Sequence, residues 1–152
     1  MGMNVKQKVF EGSTLLHSAC MSYSGNLEVV KYLVEHGVDI NAIQNSEGEH
    51  TALSWSISHQ HLEIFKYLIS KGADINFKSE LGTLLHRASC FGQLEMIQIL
   101  VEKGKGLNIN AKDYAGKTPL QVALERKKTE KDEYKNENYN GVIDYLRSKG
   151  AK

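Results

Sequence analysis

The chain has 152 residues, of which 41% are hydrophobic and 24% are charged, so it can bury a core and is not composed like a disordered segment. Its 19 Lys and Arg against 18 Asp and Glu leave a net charge of +1, which argues against a nucleic-acid partner, and no apolar run approaches the roughly 18 residues that span a bilayer. Residues 1–6 carry no apolar signal-peptide stretch and the cysteines, Cys20 and Cys90, lie far apart, so we expect a cytoplasmic protein without disulfides.

One helical pattern that ends in a glycine turn occurs four times along the chain. The copies cover residues 25–41, 61–76, 92–104 and, in a shorter form, 141–151. Leu27 and Leu62 are 35 residues apart, and Leu62 and Leu94 are 32 apart. Self-similarity at this period predicts a repeat architecture, in which each apolar helix is buried against neighbouring repeats.

A second motif begins with threonine and precedes each copy of the first. It covers residues 14–19, 51–56, 83–88 and 118–123, which read TLLHSA, TALSWS, TLLHRA and TPLQVA. Threonine can cap a helix, and Pro119 stands where the first turn of a helix tolerates proline. The motif resembles the Thr-Pro-Leu-His-x-Ala signature of ankyrin repeats, and the resemblance covers residues 12–151.

The resemblance to the ankyrin-repeat family implies an all-α solenoid of four helix-turn-helix repeats with short β-hairpin fingers. We expect a single domain over residues 1–152, with repeats at about 10–43, 47–78, 80–112 and 114–152. The resemblance also implies that His17 and His86 bond a neighbouring turn rather than act in catalysis. The glycines that should close the second helices in a left-handed conformation are Gly37, Gly72, Gly104 and Gly150.

The turns between the two helices differ from repeat to repeat. In repeat one, the leucine that begins the outer helix lies 13 positions after the threonine of the motif. In repeats two and three this distance is 11 positions. The two added residues fall within 21–24 and should expose Tyr23, where we predict a partner contact; a tolerated loop insertion is the alternative. Gln60 stands where repeat three has Gly92, so the turn of repeat two should be strained or rearranged.

Trp55 occupies an inner-helix position that holds a polar residue in two of the other three repeats. These residues are Ser18 and Arg87. A tryptophan at such a partly exposed position is a candidate hot spot for binding. The alternative is that Trp55 packs between adjacent inner helices.

The stretch that follows the inner helices of repeats two and three aligns with positions that ankyrin proteins vary for binding. It contains Ser58, His59, Cys90 and Phe91. Phe91 exposed beside Arg87 and Trp55 would form an aromatic and guanidinium patch, which protein interfaces favour. His59 and His61 lack the further ligands that zinc requires, so we expect no metal site.

Repeat four carries an insertion. Thr118 and Asn140 are 22 residues apart where 11 is the repeat value, so 11 residues are added within 126–139. The segment mixes charges of both signs, and its large apolar groups are Tyr134 and Tyr139. We expect an extension of the inner helix followed by a loop; a direct binding role is the less favoured alternative.

These features together predict a protein–protein interaction module that binds another protein through a concave inner-helix face and through the finger tips, where Leu81 and Tyr114 stand. The predicted contact residues are Tyr23, Trp55, His59, Arg87, Phe91 and Tyr114. We expect no nucleic-acid or membrane partner, no cofactor, and a monomer. We also expect no enzymatic activity, because the implied role of His86 opposes a thiol–imidazole pair with Cys90.

Two alternatives remain open for the function. The first is a microbial effector, delivered into a host cell, or a toxin-neutralising or inhibitory ankyrin protein; the excess of lysine over arginine, 16 to 3, fits an AT-rich microbial genome. The second is a structural spacer that forms part of a longer ankyrin protein.

Overall fold

The computed structural model describes residues 14–45 and 48–152. The described residues do not include segment 1–6, the expected start of repeat one at residue 10, or residues 46 and 47 of the first finger. The chain divides into two compact units, of which the first ends at Asp74 and the second covers Ile75–Lys152. Its organisation as one domain of four repeats stays a prediction.

The first unit contains two helix pairs. The inner helices are α1 (Leu15–Met21) and α3 (Ala52–Ser58), and the outer helices are α2 (Leu27–Glu35) and α4 (Leu62–Ser70). Each inner helix packs on its own outer helix, and like helices pack on each other, α1 on α3 and α2 on α4. The largest side chains of this core are fully buried: Leu16, Leu53, Ile57, Phe65 and Leu68.

The second unit repeats this arrangement and adds a hairpin. Its elements are β1 (Lys78–Ser79), β2 (Gly82–Thr83), α5 (Leu84–Cys90), α6 (Leu94–Lys103), α7 (Pro119–Thr129) and α8 (Glu133–Ser148). The antiparallel strands pair Lys78 with Thr83 and Ser79 with Gly82. Helix α5 packs on α6 and α7, and α8 packs on α6 and α7. The core side chains include Leu85, Ile97, Leu100, Val142 and Leu146.

The inner helices begin where the threonine motif predicts, and the two motif histidines have the expected structural role. Residues Thr14, Thr51, Thr83 and Thr118 are the N-caps. His17 accepts from the Thr14 amide at Nδ1 (3.0 Å) and donates from Nε2 to the carbonyl of Ala42 (2.9 Å). His86 makes the same pair of bonds, to the Thr83 amide and the Lys117 carbonyl. Each histidine therefore ties the start of its helix to the following finger.

The glycine prediction holds at three of its four positions. Gly37, Gly72 and Gly150 have φ values of 79°, 87° and 87°. The prediction is wrong for Gly104, which ends α6 with φ −78°. Two residues are inserted after it, and the left-handed turn moves to Gly106, where φ is 75°.

The insertion in repeat four lengthens both helices instead of forming a loop. The predicted extension of the inner helix is confirmed, since α7 continues to Thr129. The predicted loop is wrong, because only residues 130–132 separate the two helices. The Asp132 side chain accepts from the amides of Tyr134 and Lys135 and so caps α8, whose 16 residues absorb most of the insertion.

Candidate partner-binding groove

A groove of about 420 Å³ in the second unit is lined by two fingers and by the inner helices α5 and α7. The predicted contact residues Arg87, Phe91 and Tyr114 all line it, and Leu81 joins them from the β1–β2 turn. Phe91 is 39% exposed and Tyr114 is 80% exposed. Large apolar side chains that converge on a groove beside a guanidinium are typical of protein interfaces.

The finger turns that carry Leu81 and Tyr114 are held by local hydrogen bonds. The Leu81 amide donates to Oγ of Ser79 (3.2 Å) at the end of the hairpin. In the next finger, Oδ1 of Asp113 accepts from the amides of Ala115 and Lys117, both at 2.9 Å. These bonds fix the backbone on both sides of Tyr114, so its exposed ring stands on an ordered turn.

Both signs of charge occur along the groove. Arg126 donates from Nε to Sγ of Cys90 at 3.1 Å, and Lys117 pairs with Glu125 at 2.6 Å between Nζ and Oε2. Burial lowers the pKa of Arg87, because its guanidinium loses water around the charge; the nearby Cys90 opposes this shift.

The spacing of Cys90 and His86 does not produce a reactive pair. The ring nitrogens of His86 bond the backbone of Thr83 and Lys117, and the sulfur of Cys90 accepts from Arg126. Burial is also the main reason that the pKa of His86 is lowered, which keeps the imidazole neutral. The groove therefore offers contact surface and charge rather than an activated nucleophile.

Arg126 is a groove residue that the repeat comparison did not single out. It lies eight residues after Thr118, as His59 lies eight after Thr51 and Phe91 eight after Thr83. Counting from the capping threonine would have identified it. The insertion hid this relation, because Arg126 is also its first residue.

The other predicted contact residues belong to the first unit. Trp55 is half-buried; its Nε1 donates to Oε1 of Gln44 (3.0 Å), and its ring centroid lies 4.3 Å from that of His50. His59 bonds the Trp55 carbonyl through Nδ1 (3.2 Å). Trp55 thus packs against the finger that precedes its helix, whereas Tyr23 is fully exposed on the lengthened turn.

His61 and Tyr139 occupy the same repeat position and act as braces within their own units. Nε2 of His61 bonds the Ser22 carbonyl (2.8 Å), and the hydroxyl of Tyr139 donates to the Cys90 carbonyl (2.8 Å). Each ring lies against the left-handed glycine of the preceding repeat's turn, Gly25 or Gly92. A Cβ at Gly25 would lie only 2.6 Å from the His61 ring, so this ring needs the glycine, whereas a Cβ at Gly92 would be in ordinary contact with the Tyr139 ring at 3.4 Å. In both units the hydrogen bond fixes the end of the inner helix.

A second apolar surface lies on the helices of repeat one. Val29 is 43% exposed there, whereas Ile64, at the same position of repeat two, is 2% exposed. Leu15 and Tyr32 line the same groove, of about 770 Å³. Because this is the surface on which a repeat array stacks a preceding repeat, its composition follows from the architecture.

The described residues show neither a metal cluster nor a membrane helix. Within 14–45 and 48–152, no three His, Cys, Asp or Glu side chains come together as a metal site. None of the described helices combines the length and the apolar character that crossing a membrane requires.

The comparisons with known proteins agree with the repeat pattern. A family model described as ankyrin repeats (3 copies) matches residues 1–79, and one described as ankyrin repeats (many copies) matches residues 84–130. The chain is 35% identical over 144 residues to the probable 26S proteasome regulatory subunit p28 of Saccharomyces cerevisiae, over 93% of this chain and 61% of the relative. It thus spans less than two thirds of that relative's length. Ankyrin repeats generally serve in protein interaction, and this chain, with its all-α helix pairs, belongs to the ankyrin-repeat family.

Proposed function

We propose that this chain is a non-catalytic protein-interaction module that binds a partner polypeptide on the inner-helix and finger-tip surface of its second unit. One observation carries the proposal: Leu81, Phe91 and Tyr114 expose apolar surface around a single groove that also contains Arg87. Exposed aromatic groups on ordered backbone bind at a low cost in conformational entropy, because few rotatable bonds become fixed.

Tyr23 is proposed as a peripheral contact, since its ring is exposed on a turn that is longer than its counterparts. Trp55 and His59 keep a smaller proposed role. Nε1 of Trp55 already donates to Gln44 and Nδ1 of His59 already bonds the Trp55 carbonyl, so these polar groups are less available to a partner.

The test is affinity purification with the chain as bait, followed by quantitative mass spectrometry. We expect a partner that is recovered with the wild-type chain and lost with the Phe91→Ala/Tyr114→Ala double variant. Tyr134→Ala is the control, because Tyr134 is nearly as exposed as Tyr114 but does not line the groove. Thermal unfolding must show that the double variant remains folded. Equal recovery by the folded double variant would contradict the proposal.

A narrower candidate is supported by the relative's name. A protein 35% identical over most of this chain is described as a probable proteasome regulatory subunit, which favours a proteasome component as the partner and an intracellular location. Purified proteasome regulatory particle should then bind the immobilised wild-type chain and not the double variant. If the chain bound only other proteins, the proposed interaction function would be supported but the proteasome would be rejected as its partner.

A further inference from the structure

Two positions on the helices of repeat one are exposed or half-buried, although both are buried in every later repeat. Val29 is 43% exposed, whereas the residues at its position in repeats two to four are at most 2% exposed; these are Ile64, Met96 and Val142. Leu15 is half-buried, whereas its counterparts are buried; these are Ala52, Leu84 and Pro119. In repeat two this burial comes from α1 and α2, which pack on α3 and α4. In residues 14–45 and 48–152 no helix pair precedes α1, so the surface around Leu15, Val29 and Tyr32 forms an open face.

The open face combines a ridge with a groove. Val29 and Tyr32 lie one turn apart on α2, and Tyr32 is 51% exposed, so their side chains form a ridge. The groove beside this ridge has a volume of about 770 Å³, and small residues on and just after α1 line it: Ser18, Ala19 and Ser22. A surface of this shape can pair with itself, because a two-fold axis places the ridge of each copy in the groove of the other.

The distribution of charge favours a second copy as the partner of the open face. Glu28 is the only charged residue among the described residues that line its groove, and the carboxylate pairs with Lys31 at 2.8 Å. Two copies can therefore meet without placing unpaired like charges against each other, whereas a strongly basic or acidic partner finds no complementary group here. An uncharged apolar contact of this kind is typical of interfaces between identical subunits.

A head-to-tail contact between copies is less favourable than a contact between two open faces. The exposed positions of α8 in repeat four are polar or charged except for Tyr134, so covering the open face with α8 of another copy would bury polar groups without partners. We propose that two copies of the chain associate through their open faces, with Val29 and Tyr32 of each copy packed beside Ser18 and Ser22 of the other. The sequence led us to expect a monomer. This inference also goes beyond the proposed function, since none of these residues lines the groove of the second unit.

The first experiment measures the association of the intact chain by sedimentation velocity over a range of about 1 to 100 μM. The wild-type chain should form a dimer that dissociates on dilution. Val29→Lys should raise the dissociation constant about tenfold or more, because two unpaired cations would enter an apolar contact. Tyr134→Lys is the control, since Tyr134 is exposed but lies on α8, and it should associate like the wild type. A wild-type chain that stays monomeric throughout this range would overturn the inference.

The second experiment tests whether Tyr32 packs beside Ser18 of the other copy. Ser18→Trp fills the groove and should weaken the dimer about tenfold or more. A tryptophan fits this helix position, since Trp55 occupies it in repeat two. Adding Tyr32→Ala should then recover part of the affinity, because the smaller side chain leaves room for the new ring. Circular dichroism must show that both variants keep their helices. No recovery in the folded double variant would overturn the proposed packing.

The third experiment separates a second copy from other covers of the open face. Ser18→Cys allows maleimide labelling at residue 18, which mass spectrometry follows above and below the dissociation constant of the dimer. Association through the open face should slow this labelling at high concentration only. Protection that does not depend on concentration would assign the cover to residues 1–13 of the same chain and overturn the inference. A dimer that is lost in Phe91→Ala/Tyr114→Ala, with residue 18 reactive throughout, would place the contact in the groove of the second unit and would also overturn it.

Discussion

Repeats two and three place different side chains on the same backbone positions. Trp55 corresponds to Arg87, and His59 corresponds to Phe91. In repeat two, Trp55 bonds Gln44 on the finger that precedes its helix, and His59 bonds the Trp55 carbonyl. In repeat three, Arg87 and Phe91 line an open groove. At the second of these positions the side chain thus bonds within the first unit, whereas its counterpart Phe91 is exposed in the second.

Trp55 and Phe91 differ in whether burial leaves a polar group that must find a hydrogen-bond partner. An indole N–H loses water on burial and must find an acceptor, and Gln44 on the adjacent finger supplies one for Trp55. Phe91 has no polar group to satisfy, so nothing draws its ring away from the groove. A large residue at a variable position is therefore a stronger candidate for partner binding when its side chain is not already hydrogen-bonded within its own unit.

The prediction with the largest expected effect tests whether the packing and the hydrogen bond of Tyr139 support α5 in repeat three. Tyr139 is 7% exposed and its hydroxyl bonds the Cys90 carbonyl. Tyr139→Ala should lower the free energy of unfolding by about 3–5 kcal/mol, through the cavity and the lost bond. Tyr139→Phe should lower it by only about 1 kcal/mol. Urea denaturation measures both, and a loss below about 1 kcal/mol for the alanine variant would mean that α8 does not support α5.

The second prediction concerns His86, which links α5 to the finger that carries Tyr114. His86→Ala should lower the free energy of unfolding by about 2–3 kcal/mol, because it removes a buried ring and both of its backbone hydrogen bonds. The Thr83 amide loses this acceptor, whereas the Lys117 carbonyl keeps its bond from the Asp113 amide. His86→Gln should cost less, since Gln121 caps the Thr118 amide at the same position of repeat four.

We also expect His86 to make the stability of the fold depend on pH. Burial lowers the pKa of His86 in the folded state, below its ordinary value of 6.5. Between the folded and unfolded pKa values the unfolded chain binds more protons, so the contribution of His86 to stability is present above about pH 6.5 and decreases as the pH falls below it. The loss on acidification should be smaller in His86→Gln; an identical pH profile would assign the effect to other groups.

The sequence predicted the parts of the fold that depend on local chemistry. The capping threonines, the backbone bonds of His17 and His86, and the left-handed Gly37 and Gly72 each follow from a short motif. The cap that Asp132 provides for α8 is local, and it was missed because a loop was expected there. The sequence did not predict that Tyr139 would be buried, because this depends on packing between helices that are distant along the chain. The contact between Cys90 and Arg126 was missed for the same reason, since 36 residues separate them.

The third prediction tests the internal role of Trp55 directly. Trp55→Phe keeps an aromatic ring but removes the N–H that donates to Gln44, so it should lower the free energy of unfolding by about 1 kcal/mol. Partner affinity should stay unchanged, whereas Phe91→Ala should reduce it strongly. Isothermal titration with the partner isolated by affinity purification measures both. A large loss of affinity in Trp55→Phe, with the fold intact, would make the first unit a second contact surface.

The smallest expected effect concerns the turn that follows each inner helix. Gln60 has φ 61°, the only positive value at a non-glycine residue in the described ranges, whereas Gly92 adopts φ 66° at the same position of repeat three. Gln60→Gly should raise the free energy of unfolding by about 0.5–1 kcal/mol, because relief of the left-handed strain exceeds the added entropy of the unfolded chain. The reverse change, Gly92→Gln, should cost about as much as this gain, because its Cβ would lie 3.4 Å from the Tyr139 ring, an ordinary van der Waals contact, and the left-handed strain is the main penalty. Urea denaturation of the two variants gives both values. A cost of Gly92→Gln well above the gain from Gln60→Gly would contradict this and mean that the Tyr139 ring adds a steric requirement for glycine at position 92.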